Sequence, residues 1–192
     1  RYYSILKKIT SDEKGHVDYL NCEITLRTYY YDWLISTVKK STLGADSEEL
    51  LNLIRTQVDL INIINGYRMK KYYKLSGAEI EKRLLPVYRK LNAKTKEELF
   101  NHEDIEGFLN AFSKTYYGKK LSLDDHGRFE TEIEILQGKM ARKALAFSGS
   151  TALSVYALVF LLDLEVQNII TIIEGIRYKR SSEGILNMIV PT

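Results

Sequence analysis

The stretch Val58-Asp-Leu-Ile-Asn-Ile-Ile64 is the most informative part of the sequence for the fold, because the chain contains a second version of it. That second version, 106 residues later, reads Leu164-Glu-Val-Gln-Asn-Ile-Ile170. In each version an acidic residue precedes an asparagine by three positions, which is close to one turn of an α-helix. The two pairs are Asp59 with Asn62 and Glu165 with Asn168. An internal repeat of this kind predicts a fold built from two similar units.

The sequence on both sides of this element repeats as well. Downstream, both copies contain a basic residue followed by tyrosine, then a short apolar pattern that ends at a proline. The first-copy residues are Lys71, Tyr72, Ile80, Leu84 and Pro86, and their counterparts are Arg177, Tyr178, Ile185, Ile189 and Pro191. The looser upstream match pairs Leu20, Glu23, Ile24 and Leu26 with Phe129, Glu132, Ile133 and Ile135. We therefore predict two helical repeat units, over residues 1–118 and 119–192.

Apolar residues recur at helical spacing through most of the chain. The two clearest stripes are Leu26, Tyr30, Trp33, Leu34 and Val38, and Leu51, Ile54, Val58, Ile61 and Ile64. The 192 residues include only 2 Pro and 11 Gly, and so few helix breakers favour long helices. No segment shows the sustained period-two alternation of a half-buried strand. The predicted fold class is all-α, with two pseudo-symmetric multi-helical repeat units.

Three polar pairs predict where helices begin. In each, glutamate follows a capping residue by three positions, which is the capping-box spacing. The pairs are Asp46 with Glu49, Ser76 with Glu79, and Thr95 with Glu98. Asp18 is the predicted cap of the preceding helix, and Gly44 lies beyond that helix's end. A helix from Asp46 is expected to run without a break to about Tyr73.

The most apolar stretch of the chain is Ala152–Leu162. It is far shorter than the ~20 apolar residues that span a bilayer. Two carboxylates, Asp163 and Glu165, follow it directly. We therefore expect a buried core helix, running from about Thr151 to about Lys179, and no membrane insertion.

The repeated asparagines lie on the apolar stripes of their helices. Asn62 follows Val58 by four positions, and Asn168 precedes Ile172 by four. A buried asparagine needs hydrogen-bond partners, and we expect backbone groups at a helix end in the same unit. Contact with a partner protein is the alternative. Asp59 and Glu165 could form a catalytic pair, but their repetition favours one structural carboxylate in each unit.

The sequence lacks the common motifs for metal binding, phosphate binding and nucleophilic catalysis. His16, His102 and His126 are scattered and have no metal-binding spacing, and Cys22 is the single cysteine. The sequence contains neither the phosphate-binding pattern Gly-x-x-x-x-Gly-Lys-Ser/Thr nor the nucleophile pattern Gly-x-Ser-x-Gly. We therefore expect no catalytic residue, no metal and no cofactor.

Basic residues cluster where the first copy of the repeat ends. Tyrosines interleave with Arg68, Lys70, Lys71 and Lys74, a pattern that could bind a nucleic-acid backbone. Cations are also stabilised at the C-terminus of a helix by the helix dipole. The net charge of +3 is mild and does not call for nucleic acid. Our candidate partner contacts are Arg68, Lys70, Lys71 and Arg177.

Several stretches together resemble the C subunit of V-type ATPases, the family named d in eukaryotes, in a form closest to the bacterial members. They are Asp46–Leu50, Val58–Ile63, Tyr67–Tyr73, Leu75–Ile80, Leu84–Pro86, Cys22–Leu26, Tyr29–Tyr31, and Tyr156 through Glu165–Ile169 to Glu174–Arg177. The resemblance covers nearly the whole chain. It implies an all-helical funnel of three units, of which this chain shows two, with the N-terminal unit missing.

The same resemblance implies a mechanical function without catalytic residues or cofactors. A protein of this kind joins the rotor shaft to the membrane rotor ring, at the cytoplasmic face of the membrane, and serves ATP-linked proton or sodium translocation. The implied partners are the shaft subunits and the ring. Two other interpretations stay open at this point: a helical-repeat adaptor that binds other proteins, and a nucleic-acid-binding helical domain that uses Lys70–Lys74.

Overall fold

The computed structural model describes residues 3–6, 19–42, 44–121 and 128–191. These residues form α-helices, short turns and short stretches of 3-10 structure, and the described ranges contain no strand. The predicted all-α class is therefore confirmed. The helices are α1 (Tyr3–Leu6), α2 (Tyr19–Ser41), α3 (Gly44–Tyr73), α4 (Gly77–Glu81), α5 (Ala93–Phe100), α6 (Ile105–Lys114), α7 (Phe129–Phe147), α8 (Thr151–Arg177) and α9 (Ser182–Leu186), with the 3-10 turn at Gly118–Lys120.

Contacts divide the chain into two compact units. Unit 1 comprises the described residues of Arg1–Leu43 and Ile54–Ala111, and unit 2 those of Gly44–Leu53 and Phe112–Thr192. Helix α3 therefore contributes its first part to unit 2 and the remainder to unit 1. The pseudo-symmetry of two repeats, with a boundary after residue 118, stays a prediction.

The core of unit 1 is built around α3. Ile54, Val58 and Ile63 are completely buried, as their helical stripe predicts. Burying each such side chain stabilises the fold by about 1.5–3 kcal/mol. The ring of Phe100 stacks on that of Phe108 at 6.0 Å. A Cβ at Gly66 would lie 2.1 Å from Phe100 Cε1, so α3 and α5 approach as closely as they do because position 66 has no side chain.

The core of unit 2 joins α7 to α8. Phe129 and Ile133 of α7 are completely buried, and so is Ala157 of α8. The ring of Phe112 meets that of Phe129 edge-on at 5.0 Å. Such aromatic pairs contribute about 0.5–1.5 kcal/mol beyond the area that they bury.

Two predicted helix starts differ from the structure. Helix α3 begins at Gly44, two positions before Asp46, and Gly44 adopts a left-handed φ of 64°. Helix α5 is capped by Asn92 rather than Thr95, because the Asn92 side chain accepts the Thr95 N–H at 2.9 Å. Asn92 and Thr95 are both good capping residues, and the one that precedes the first helical turn takes the role. The predicted cap Asp18 lies outside the described residues.

The capping box at α4 is confirmed. The Ser76 hydroxyl accepts the Glu79 N–H at 3.4 Å, and the Glu79 carboxylate accepts the Ser76 N–H at 2.9 Å. The Ser76 hydroxyl also donates to this carboxylate at 2.7 Å. Hydrogen bonds from the side chain and backbone of Ser76 lower the pKa of Glu79 below its ordinary value of 4.5. Because the folded-state pKa is lowered, this carboxylate stabilises the fold above pH 4.5, and the contribution is lost as the pH falls through the folded-state pKa.

Substituting Ser76→Ala should therefore raise the pKa of Glu79 toward its ordinary value. Separately, the loss of the Ser76 N-cap of α4 should lower the free energy of unfolding by about 1 kcal/mol. Carbon-13 NMR of the Glu79 carboxyl group and urea unfolding measure the two effects. The matched control is Ser181→Ala, because Ser181 caps α9 by accepting the Gly184 N–H without a carboxylate partner at that position. An unchanged Glu79 pKa in Ser76→Ala would contradict this account.

Helix α8 corrects one prediction from the sequence. The expected buried core helix is largely exposed: its buried residues are Leu153, Ala157, Leu164 and Gly175. On the other side, Val159 is 60% exposed and Ile173 is 60% exposed. By length and composition alone, α8 could cross a membrane, and it is the one such helix among the described residues. The prediction was wrong because high apolar content does not tell which faces of a helix find partners within the chain.

Candidate functional site

Asn62 binds the backbone of a single residue through both ends of its side-chain amide. Its Nδ2 donates to the Leu85 carbonyl at 3.0 Å, and its Oδ1 accepts the Leu85 N–H at 2.8 Å. Asn62 is completely buried, and Leu85 is 2% exposed. Leu85 precedes Pro86, and the helical conformation is disfavoured for a residue directly before proline. The Asn62 side chain therefore provides the hydrogen bonds that the N–H and carbonyl groups of Leu85 would have made in a continuing helix.

Asn168 makes the same contact in unit 2. Its Nδ2 donates to the Val190 carbonyl at 2.6 Å, and its Oδ1 accepts the Val190 N–H at 2.9 Å. Val190 precedes Pro191, as Leu85 precedes Pro86. Both asparagines thus tie the middle of a long helix to the backbone of the residue before a proline. This common geometry supports the structural role that we predict for them.

The two repeated carboxylates have different environments. Asp59 is completely buried. Its Oδ1 accepts the Arg89 N–H at 3.0 Å, and its Oδ2 accepts the N–H groups of Lys90 at 2.6 Å and Leu91 at 3.1 Å. Glu165 is exposed on α8. Asp59 belongs to unit 1 and Glu165 to unit 2, and neither unit contains both carboxylates.

Two of the candidate partner contacts have intramolecular partners. Lys70 is 4% exposed, and its ammonium group donates to the carbonyl of His102. Burial lowers the pKa of Lys70, and the carboxylate of Asp104 opposes this effect. Lys71 donates to the Tyr67 hydroxyl at 3.0 Å, and this hydrogen bond is the main cause that raises the pKa of Lys71. These contacts weaken the nucleic-acid interpretation of the cluster, because they direct the two lysines toward the protein.

The two arginines among the candidate contacts are exposed. Arg177 lies at the end of α8, with its guanidinium 5.9 Å from the centre of the Tyr178 ring. Arg68 lines a groove of unit 1 with a volume of about 150 Å³. The other lining residues are Glu23, Ile24, Arg27, Asn65, Met69, Tyr73, Arg83 and Leu85.

Sequence reasoning missed two members of this groove, Arg27 and Arg83. Arg27 lies on α2 and Arg83 follows α4, whereas Arg68 lies on α3. The only local signal is the spacing of four between Glu23 and Arg27, which form a salt bridge at 2.9 Å. Nothing in the sequence brings positions so far apart to one groove.

The histidines form no metal centre in the described ranges. No group of three or more His, Cys, Asp or Glu side chains there could hold a metal ion. His102 contributes its carbonyl oxygen to Lys70. His16 and His126 lie outside the described residues.

The fold and the site define an all-helical protein whose repeated polar side chains hold its own backbone in place. Comparison with known families then gives the particular class. The chain belongs to the ATP synthase (C/AC39) subunit family, which it matches over residues 1–188. The predicted resemblance to the V-type ATPase family is thereby confirmed. No curated protein and no solved structure matches the chain.

Family membership makes the chain a component of a V-type ATP synthase complex. The family is a structural one rather than the one that carries the catalytic site. A stalk protein of this kind is peripheral to the membrane.

Proposed function

We propose that this protein is a non-catalytic central-stalk component that couples the rotor shaft to the membrane rotor ring. Torque passes through it during ATP-linked translocation of protons or sodium. The family match over residues 1–188 is the observation that carries this proposal. The protein then works at the cytoplasmic face of the membrane, and its partners are the shaft subunits and the ring.

The packing within each unit supports a mechanical role. A part that transmits torque must resist deformation, and a close-packed interior transmits strain because it is hard to compress. In unit 1, Asn62 and Asp59 fix the segment from Leu85 to Leu91 against α3 with five hydrogen bonds. The side chains of Asn62 and Asp59 thus make hydrogen bonds to backbone groups of the same unit, and these bonds stiffen the fold.

The exposed apolar face of α8 supports the proposal that this protein functions as part of a larger complex. Apolar side chains occupy this face from Val155 to Ile176. They follow helical spacing over a length of about 30 Å at 1.5 Å per residue. An exposed apolar patch of this extent is typical of a protein–protein contact. Asp163, Glu165 and Glu174 are exposed on the same helix, which favours a protein partner over the bilayer core, where carboxylates are costly.

A pull-down tests the proposal. The tagged chain is exposed to detergent-solubilised host membranes, and mass spectrometry identifies the proteins that remain bound. We expect shaft and ring subunits of a rotary ATPase to be retained, and the control bait is an unrelated helical protein of similar size with the same tag. If the bait is folded by circular dichroism but retains no rotary-ATPase protein, the coupler function is wrong and the helical-repeat adaptor takes its place.

A further inference from the structure

The exposed side of α8 carries a heptad repeat of apolar residues. Seven apolar side chains follow one another at alternating intervals of four and three positions, which is the spacing of the a and d positions of a coiled coil. All seven are 50% to 66% exposed, so unit 2 leaves them uncovered. The seven residues, which we call the α8 seam, are Val155, Val159, Leu162, Val166, Ile169, Ile173 and Ile176.

The regularity of the α8 seam distinguishes it from scattered apolar residues on a protein surface. A single exposed leucine or isoleucine is ordinary. Three consecutive heptads with an apolar residue at every a and d position are typical of a helix that packs lengthwise against another helix. The other face of α8, with Leu153, Ala157 and Leu164, is buried within unit 2. Helix α8 therefore has two helix-packing faces, and one of them is exposed.

The positions beside the seam restrict the charge of a partner helix. With Val159, Val166 and Ile173 at the a positions, Asp163 lies at an e position and Glu165 at a g position, near the middle of the seam. Both carboxylates are exposed. In a coiled coil, residues at e and g face the other helix and form salt bridges across the contact. Lysine or arginine opposite these two carboxylates is therefore favoured, and a like charge is disfavoured.

A second copy of this chain is a poor match for the α8 seam. In a parallel pair, the carboxylates of one copy would face the apolar flanking residues Leu158 and Ile170 of the other. In an antiparallel pair that overlaps most of the seam, they would face apolar flanking residues or their own equivalents. Arg177 is the one cation at a flanking position of α8, and it lies at the end of the seam. Pairing it with a carboxylate of a second copy would leave part of the seam uncovered.

The same two carboxylates argue against a lipid bilayer as the occupant. They lie near the midpoint of a seam that is about 30 Å long at 1.5 Å per residue. A bilayer that covered the seam would hold both groups in its hydrocarbon core, where carboxylates are costly. A helix with cations at the matching positions would pair with them instead.

We propose that the α8 seam packs lengthwise, in the manner of a coiled coil, against an amphipathic helix of another protein. That helix has apolar residues at its own a and d positions and lysine or arginine opposite Asp163 and Glu165. The identity of the other protein, as a member of the ATP synthase complex, rests on the proposed function. The binding mode rests on the spacing and exposure of the α8 side chains alone.

Two synthetic peptides test the binding mode directly. Both have four heptads with isoleucine at a and leucine at d, and one has lysine at every e and g position whereas the other has glutamate there. Like charges at these positions keep each peptide from pairing with itself. Fluorescence anisotropy of each labelled peptide, titrated with the whole chain at constant ionic strength, measures the dissociation constants. We expect the lysine peptide to bind with a dissociation constant on the order of micromolar, and the glutamate peptide to bind at least about tenfold more weakly.

One variant and a matched control test the apolar part of the contact. Ile169→Ser changes the middle of the seam and should weaken binding of the lysine peptide by about tenfold, since it removes one apolar side chain from the contact. Leu186→Ser changes an apolar side chain of α9 that is 67% exposed and lies outside the seam, and it should alter binding less than about twofold. Circular dichroism confirms that both variants are folded.

A second pair of variants tests the charges. The double variant Asp163→Asn with Glu165→Gln should weaken binding of the lysine peptide by about fivefold and strengthen binding of the glutamate peptide. The control is Glu174→Gln, because Glu174 is an exposed carboxylate of the same helix that follows the a position Ile173 and does not flank the seam. It should change binding of either peptide less than about twofold.

No binding of the lysine peptide, equal binding of the two peptides, or unchanged binding in Ile169→Ser would each overturn the proposal. Sedimentation of the chain alone and flotation with anionic phospholipid vesicles test the other two occupants. A dimer that Ile169→Ser dissociates, or vesicle binding that Ile169→Ser abolishes, would also overturn it. These outcomes leave the coupler function untouched, because the pull-down with the unmodified chain tests that function separately. Conversely, a failed pull-down with a positive peptide titration would keep the helix-binding seam and remove only the ATP synthase complex as the source of its partner.

Discussion

Substituting Asp59→Asn is expected to lower the free energy of unfolding by about 3 kcal/mol or more. The buried carboxylate accepts three backbone N–H groups, those of Arg89, Lys90 and Leu91. Hydrogen bonds to a charged group contribute about 1.5–3 kcal/mol each, and an unpaired buried donor carries its full desolvation cost. The asparagine amide would keep one acceptor oxygen and direct an NH₂ group at N–H donors that it cannot pair with.

The measurement is urea unfolding followed by circular dichroism, with the slope compared between variants so that a change in midpoint reports stability. Hydrogen exchange adds a local measurement, since the amides of residues 89–91 should lose protection in Asp59→Asn. The control is Glu165→Gln, the equivalent carboxylate of the second copy. Because Glu165 is exposed, its substitution should change stability by no more than about 0.5 kcal/mol. Similar losses at the two positions would contradict the environments described for them.

This contrast marks what the repeat could and could not predict. The equal spacing of Asp59–Asn62 and Glu165–Asn168 indicates similar positions on similar helices. A carboxylate's environment depends also on the segment that passes over it. In unit 1 that segment is Arg89–Leu91, more than two dozen positions away along the chain. Contacts at such separation leave no trace in helical periodicity.

The asparagines were more predictable, since a polar residue within an apolar stripe must find a hydrogen-bond partner. Backbone groups next to a proline are ready partners, because proline ends a helix and leaves groups unpaired. The sequence contains both halves of this contact, at Asn62 with Pro86 and at Asn168 with Pro191. It does not show which residue near each proline makes the contact, and the structure shows that these residues are Leu85 and Val190.

Helix α8 shows the opposite situation. Its apolar content is visible in the sequence, but burial depends on what packs against each face. Helix α7 and the short α9 contact α8, and the side chains from Val155 to Ile176 on the other face stay exposed. For a chain that works in a complex, the hydrophobic pattern includes the surfaces that partners cover, so pattern alone overestimates the core.

Substituting Asn62→Ala is expected to cost about 2–4 kcal/mol of unfolding free energy, and more than Asn168→Ala. The alanine removes two hydrogen bonds and leaves the N–H and carbonyl groups of the buried Leu85 unpaired. Asn168 is only half-buried, so water can replace part of its contact with Val190, and we expect a loss of about 1–2 kcal/mol there. Urea unfolding of both variants measures the difference.

The variant Asn62→Asp separates hydrogen bonding from packing at the same position. Aspartate has nearly the same shape as asparagine, and it can still accept the Leu85 N–H. However, a carboxylate oxygen would take the place of the Nδ2 group that donates to the Leu85 carbonyl at 3.0 Å, so two acceptor oxygens would face each other. It should therefore be at least as destabilising as alanine, since a buried unpaired charge carries a large cost. A mild effect of Asn62→Asp, or a larger loss for Asn168→Ala than for Asn62→Ala, would show that the amide does not fix the backbone before Pro86. If both Asn→Ala variants lose stability, and Asn62→Ala loses more, the same backbone contact stabilises both units. Its loss then destabilises the fold more at Asn62, where the contact is buried away from water.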